Sequence, residues 1–370
     1  MNIQVVQNKS ELNQFINYPY QFYRDDPNWI PPLRTELKNQ FNPKTNPLLD
    51  HCDYCLFLLI QEDQVIGRIA AFIDHLAVDF WEEKIGLFGY YECVPDENAS
   101  KLLMDAAADW LRDRGMDSMR GPWTFVSQEW GLVVEGFTPP PVIMAPYNPP
   151  YYGQHFSAFG LEKVKDLLCY YISGQEGYQI PDRILTLTDR VAQRYEVTVR
   201  PVDMKRYEEE VELFLELSNS SIIDNWGYSP VTDAEADAMA KDLKQVIQPQ
   251  GVLFAENSEG KAIGFAIALP DINSLLKGLN GRLLPFGWLK LLLGIPRLRS
   301  YRMFALGVIP EYHGFGIDAL IYRYLYESLY SPEIWMEINY VLEDNYHMNN
   351  AIHKLNAKPL RRYRIYQREI

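Results

Sequence analysis

The chain has 370 residues, of which 47% are hydrophobic, 14% aromatic and 23% charged. That supply of large apolar side chains offsets chain entropy, so disorder is excluded as the main state, and the length suits two domains. Lys and Arg number 35 against 49 Asp and Glu, a net charge of −14 whose field repels phosphate backbones and argues against nucleic-acid partners.

From the start, MNIQVVQNKSELNQ holds no basic-then-apolar leader, and no run of about 20 uncharged apolar residues follows, so a cytoplasmic protein is expected. Cys52 and Cys55 form a CxxC without a second Cys or His pair at zinc spacing, and CLFLLI after it reads as a strand beginning. With Cys93 and Cys169 they are read as ordinary thiols of a reducing compartment, and no metal is expected. Residues 55–74 read as two strands around a tight acidic turn. The strand GLFGYYECV then runs into PDENASKLL with no glycine loop, and residues 98–114 make an amphipathic helix. Residues 121–152, rich in Pro and aromatics and too irregular for one element, suit a loop that lines a site. HFSAFGLEKVKDLLCYYI (155–172) is a helix tail, a tight turn and a strand, and SGQEGYQIP (173–181) is a linker.

The second half repeats the first. Asn28-Trp29 recurs as Asn225-Trp226, Phe57 as Phe254, Ile66-Gly67 as Ile263-Gly264 and Asp74 as Asp271, all 197 positions on. VLFAENSEGKAIGFAIALPD (252–271) is again strand, turn, strand, and 351–367 parallels 155–172, with Phe159 facing Leu355. The expected architecture is mixed α/β (α+β): one fold written twice, with domains at 1–178 and 179–370, each a largely antiparallel central sheet flanked by helices.

Only the second copy carries a glycine turn. The strand RMFALGVIP, the loop EYHGFG and an amphipathic helix over 317–330 leave free backbone N–H groups pointing at one spot, where the positive helix end attracts phosphate. Gly314 and Gly316 let the backbone approach closely. A plain strand–helix turn would need the same glycines. The acids of PDENASKLL would repel a phosphate at the matching place in the first copy.

Strand, Gly loop, helix, the strand IWMEINYVL, then EDNYHMNNAIHKLNAKP and a final strand resemble the GCN5-related N-acetyltransferase (GNAT) superfamily. Against its Gln/Arg-x-x-Gly-x-Gly/Ala motif stand His313, Gly314, Phe315, Gly316, Ile317 and Asp318. Gly316 matches, His313 replaces Gln or Arg, and Asp318 replaces a small residue and sets a negative charge near the expected pyrophosphate. Asn345 matches the later signature and Lys354-Leu355-Asn356 stands for Lys-Leu-Gly, while Ile352 occupies the place of the Tyr that protonates the leaving thiolate. NYPYQFYRDDPNWIPP (17–32), NPPYY (148–152) and LEDN (342–345) resemble double-length bacterial members of the superfamily, near bacterial ceramide synthases.

The resemblance implies acyl-CoA, with an acetyl or longer chain, as co-substrate, bound by the strand residues Leu306, Val308 and Ile309, the loop 313–318 and Asn345. It also implies acyl transfer to a primary amine lying near 123–152. That reaction needs a neutral amine, a donor to the tetrahedral oxyanion and a proton for the thiolate. The family supplies the donor as a backbone N–H, here around 306–309. Candidates for the proton transfers are Glu337, Glu343, Glu129 and Tyr346, with His347 beside the last; each also reads as an ordinary solvated residue.

Residues 274–302 hold Lys277, Arg282, Lys290, Arg297, Arg299 and Arg302, many leucines and no acid. The segment is too short and interrupted to span a bilayer. It suits a peripheral contact at an anionic inner-membrane surface, a wall of an acyl-chain pocket, or an insertion packed on the core. A small-molecule or lipid amine is the expected acceptor. Two other readings stay open: a non-catalytic acyl-CoA binder, and a ligase of the tandem type fed by an acyl carrier or aminoacyl-tRNA.

Overall fold

The computed structural model describes residues 1–125, 129–223 and 225–370. The first repeat runs β1 (Asn2–Val5), α1 (Lys9–Phe22), α2 (Arg34–Gln40), β2 (Cys52–Gln61), β3 (Gln64–Asp74), α3 (His75–Trp81), β4 (Ile85–Cys93), α4 (Glu97–Arg112), β5 (Ser118–Gly121), β6 (Leu132–Glu135), α5 (Tyr152–Ala158) and β7 (Glu162–Ser173). The second runs α6 (Asp182–Tyr195), β8 (Thr198–Pro201), α7 (Tyr207–Ile222), α8 (Asp233–Leu243), β9 (Val252–Glu256), β10 (Ala262–Pro270), α9 (Asn273–Leu276), α10 (Gly287–Gly294), β11 (Ser300–Val308), α11 (Ile317–Leu329), β12 (Trp335–Leu342), α12 (Tyr346–Lys354) and β13 (Lys358–Glu369). Both expected hairpins are present as β2–β3 and β9–β10, and both expected helices as α4 and α11. Among the described residues no helix is long and apolar enough to cross a membrane. All four cysteines are free thiols.

The repeat has a physical basis in how a helix lies on the sheet. A Cβ added at Gly67 of β3 would stand 2.7 Å from Leu103 of α4, and one at Gly264 of β10 would stand 2.9 Å from Ile321 of α11. Each glycine lets its helix seat a leucine or isoleucine directly on the strand. On α4 the buried residues Ala99, Leu103, Ala107 and Leu111 recur every fourth position and make that seam continuous.

The described strands form one sheet in the order β1-β2-β3-β4-β5-β13-β7-β12-β11-β10-β9-β8, with β6 also on β13. The last strands of the two repeats are exchanged. β7 lies antiparallel to β12 of the second repeat, and β13 lies antiparallel to β5 of the first. β7 and β13 then pair with each other. At that seam Asp166 is fully buried and takes a bidentate pair from Arg364, Nε to Oδ1 at 2.8 Å and Nη2 to Oδ2 at 3.0 Å. Arg362 adds a third bond at 3.1 Å, and these guanidinium groups hold the Asp166 carboxyl below its usual range against the opposing pull of burial.

Candidate active site

β11 and β12 are parallel and paired from Ser300↔Trp335 to Met303↔Ile338, and there the pairing stops. The β10 ladder skips Phe304, passing from Ala268↔Met303 to Ile267↔Ala305, so a bulge turns the rest of β11 away. On the other side β12 breaks register with β7 between Ile338 and Val341. The two strands therefore part into a wedge. Leu306, Gly307 and Val308 form one lip, and Asn339, Tyr340 and Val341 the other; all six line a cavity of about 970 Å³.

The glycine turn stands at the mouth of that cavity. His313, Gly314, Phe315, Gly316 and Asp318 line it. Gly316 is the N-cap of α11 at φ +83° and offers no side chain, so the helix's first N–H groups precede the first intrahelical bond, Leu320 N–H to Gly316 O. Gly314, at φ +80°, faces open space. The His313 imidazole donates from Nε2 to the Val308 carbonyl at 2.8 Å, so it braces the loop against the strand. Phe315 stacks on Tyr195 at 4.8 Å and leaves a flat aromatic face outside the turn.

The first repeat is closed at both equivalent places. The N-cap of α4 is Asp96, whose carboxylate accepts the N–H groups of Asn98 and Ala99 at 2.8 and 3.1 Å, which uses the helix end internally. β4 and β5 also part after a short parallel ladder, but the Trp123 N–H donates to the Phe88 carbonyl at 2.8 Å and the chain fills the gap. A Cβ at Gly89 would run into the Trp123 carbonyl.

The loop 121–152 reaches from this filled gap onto the second repeat. β6 within it pairs with β13, an element the irregular sequence did not announce. Farther on, Arg361 donates to the carbonyls of Gly136 and Pro139 at 2.7 and 2.6 Å, and Arg302 donates to Ile143 O at 3.0 Å and to Met144 O. Trp130 of this loop lines the first cavity, while Glu129 lines a second one of about 940 Å³.

That second cavity is mostly apolar but carries carboxylates. Burial pushes the Glu129 carboxyl above the usual range, with Arg302 opposing. Desolvation, with Asp242 and Glu129 nearby, pushes Glu36 up to about 7, and burial raises Asp242 as well. Trp288, Leu291 and Leu292 from the basic insertion form part of its rim.

The expected site residues therefore fall in several places. Leu306, Val308 and the loop 313–316 with Asp318 share the first cavity. The Ile309 N–H is used by the Ile263 carbonyl at 2.9 Å, and Ile317 is fully buried under α11. Asn345 caps α12, its Oδ1 accepting the Met348 N–H at 3.0 Å. Glu337 lies in the sheet with 0% exposure, 3.8 Å from Arg361, and lines neither cavity. Glu343 pairs with Lys163 at 2.7 Å and accepts the Asp166 N–H. Tyr346 points to solvent at 73% exposure, whereas His347 lines the first cavity. Glu36, Asp242, Ser221, Trp130 and Asn339 carry no sequence motif and are brought to the cavities by folding alone.

A parallel strand pair splayed over a glycine-capped helix, on a fold built twice, is the tandem GNAT fold. Its backbone matches a tandem GNAT protein from the clavulanic acid biosynthesis pathway with a TM-score of 0.57 at 12% identity, over 100% of this chain and 98% of that one. No family model matches the chain. It is 34% identical to Protein YghO of Escherichia coli (strain K12) over 371 residues, 98% of this chain and 94% of that protein. It is also 34% identical to the bacterial ceramide synthase of Caulobacter vibrioides (strain NA1000 / CB15N) over 377 residues, 99% of this chain and 96% of that protein. The chain belongs to the family of these two proteins.

Proposed function

We propose that the protein transfers an acyl group from a coenzyme A thioester to a primary amine of apolar, lipid-like character. The observation that carries this is the open wedge between β11 and β12, ending at a helix whose cap is a bare glycine. Pyrophosphate sits on the N–H groups of the 313–318 turn, and the pantetheine arm lies between the parted strands. Backbone N–H groups of Leu306 to Val308 are the candidate donors to the oxyanion.

The two cavities divide the substrates. Beyond the wedge the first cavity continues between α7 and α8, where Phe214, Leu215, Met239 and Leu243 make a greasy wall suited to an acyl chain. The second cavity offers an apolar body and the carboxylates Glu36, Glu129 and Asp242, a fit for an amine that arrives as a cation. Glu129, which lines the second cavity next to Trp130 of the first, is the candidate to take the amine proton; its raised carboxyl makes it a stronger base than an exposed one. The name of the 34% identical relative, a bacterial ceramide synthase, supports an acceptor of lipid character.

The insertion adds a surface. Leu284, Phe286 and Leu292 are 80%, 74% and 62% exposed and lie among Lys277, Arg282, Lys290 and Arg297, which suits contact with an anionic bilayer. Purified protein incubated with acyl-CoA donors from acetyl to palmitoyl and a long-chain primary amine is expected to release free thiol and form the amide, read by mass spectrometry. Absence of amide with every donor sinks the reading. Asp318 on the cavity wall favours a second reading, an acyl-CoA binder without turnover; tight binding of palmitoyl-CoA with no product selects it.

A further inference from the structure

Few buried polar side-chain atoms in the described residues lack a hydrogen-bonding partner, and they are not scattered. Trp130 Nε1, Ser221 Oγ and both amide atoms of Asn339 are buried and unpartnered, and all three residues line the first cavity. Asn339 is 2% exposed. A buried polar group left without a partner costs about 1–3 kcal/mol, so three converging on one cavity call for an explanation.

Their places in the fold are specific. Asn339 is the first residue of β12 past the last rung, Met303↔Ile338, and stands where β12 has also lost register with β7. Its side chain thus sits at the apex of the wedge. Ser221, near the end of α7, packs across Gly307 on the opposite lip; a Cβ at Gly307 would come within 3.0 Å of the Ser221 Cβ. Trp130 lies parallel to Tyr340, the next residue after Asn339, at 6.3 Å between rings and 10° between planes. It is also stacked on Trp123 at 4.6 Å, which fixes its indole. One group therefore comes from each lip and one from the first repeat.

We propose that Asn339, with Ser221 and Trp130, is the polar seat in which the thioester and the amine meet. This rests on the acyl-transfer reading above. A carboxamide carries two donors and one acceptor, an indole one donor, and a hydroxyl either role. Nδ2–H of Asn339 donates to the thioester carbonyl oxygen, and Oδ1 accepts an N–H of the amine, aiming the nitrogen lone pair at the carbonyl carbon. Trp130 Nε1–H and Ser221 Oγ–H join the backbone N–H groups of 306–308 as further donors at this spot as that oxygen gains charge. The amine nitrogen bonds to the carbonyl carbon, the carbon–sulfur bond breaks, the nitrogen passes one proton to the Glu129 carboxylate, and the coenzyme A thiolate takes one from water as Glu129 returns its own to solvent.

The test compares Asn339→Leu, Ser221→Ala and Trp130→Phe with the unaltered chain by steady-state kinetics, coenzyme A calorimetry and thermal melting. Asn339→Leu is expected to lower kcat about 100-fold while the Kd for coenzyme A changes by less than about 2-fold, because the turn 313–318 is untouched. Ser221→Ala removes one donor with little change of volume, Trp130→Phe removes one while keeping an aromatic face against Tyr340, and each is expected to lower kcat about 10-fold. These two decide the matter if Asn339→Leu does not fold. Variants that melt like the unaltered chain and keep its kcat overturn the inference alone. An unaltered chain that makes no amide overturns the acyl-transfer reading with it.

Discussion

Asp271 Oδ1 accepts the backbone N–H of Ile143 at 2.9 Å, across 128 positions of sequence. Arg302 donates to the carbonyl of the same residue, so two side chains of opposite charge grip the two peptide groups flanking one residue of the loop 121–152. The carboxyl is buried, and desolvation pushes it up to about 6 despite the N–H groups it accepts. A folded value above the unfolded one means the native state binds more protons between about pH 4 and pH 6. Its contribution is full below about pH 4 and is lost as pH rises through about 6. A carboxamide in its place would keep the acceptor and lose the charge. Relative to the unaltered chain, Asp271→Asn is therefore expected to gain stability progressively over that window and level off above it. Urea denaturation at several pH values checks this, and a difference independent of pH contradicts it.

The two turn glycines separate backbone strain from contact. Both have positive φ, but only at Gly316 does a Cβ meet a neighbour, Val191 at 3.2 Å, and only Gly316 caps α11. Left-handed backbone costs a non-glycine residue about 1–2 kcal/mol. Gly314→Ala is expected to destabilise by that amount with modest loss of coenzyme A affinity. Gly316→Val is expected to weaken coenzyme A at least about 10-fold, measured by calorimetry, because strain and crowding shift the N–H groups.

Glu129 should set the rising limb of the pH–rate profile. A base acts only when deprotonated, and burial raises this carboxyl, so activity should climb with pH above the range of an exposed carboxylate. Glu129→Gln is expected to lower kcat by at least about 100-fold and to abolish that limb. Glu36→Gln, across the same cavity, should raise KM for the amine more than it lowers kcat. A Glu129→Gln variant with an unchanged profile assigns the base elsewhere.

The exposed insertion predicts partition onto vesicles. Leu284→Ser, Phe286→Ser and Leu292→Ser together remove three apolar anchors, each worth about 1.5–3 kcal/mol when buried. Flotation with phosphatidylcholine vesicles containing phosphatidylglycerol should show at least about 1000-fold weaker partition for the triple variant, and weaker binding of the unaltered chain in high salt. Equal partition to neutral and anionic vesicles removes the role given to the cations.

The exchanged strands depend on Asp166. Removing a buried carboxylate held by two arginines takes the carboxylate from Arg364 and leaves Arg362 with Glu135 alone beside the β7–β13 seam. Asp166→Ala is expected to cost about 3–5 kcal/mol in urea denaturation. A loss below about 1 kcal/mol would show that strand pairing alone holds the seam.

Local patterns in the sequence carried the elements and the duplication. Alternating strands around polar turns and a four-residue helical seam over 97–112 arise from neighbours along the chain, and the fixed offset of 197 shows when the chain is laid against itself. The same is true of the glycine turn at 313–318, because positive φ at Gly314 and Gly316 is a local demand. Glu337 shows where such reading ends. It lies on the right strand, but its side chain faces Cys169 and Arg361 of the exchanged strands, and Cys169 is 168 positions away in sequence.

Length and charge indicated two domains in an acidic chain. What folding decided is that the two share one sheet by trading their last strands, and that the first repeat fills its own wedge with Trp123 while the second leaves it open. Only that topology places Trp130 and Glu129 of the first repeat against Tyr340 and Arg302 of the second. Side-chain burial at long range has no signature in a single sequence, since it depends on which distant strand comes to lie alongside. The sequence determined the parts of a tandem GNAT fold, and the tertiary structure decided which of them line the wedge and which are locked into the sheet.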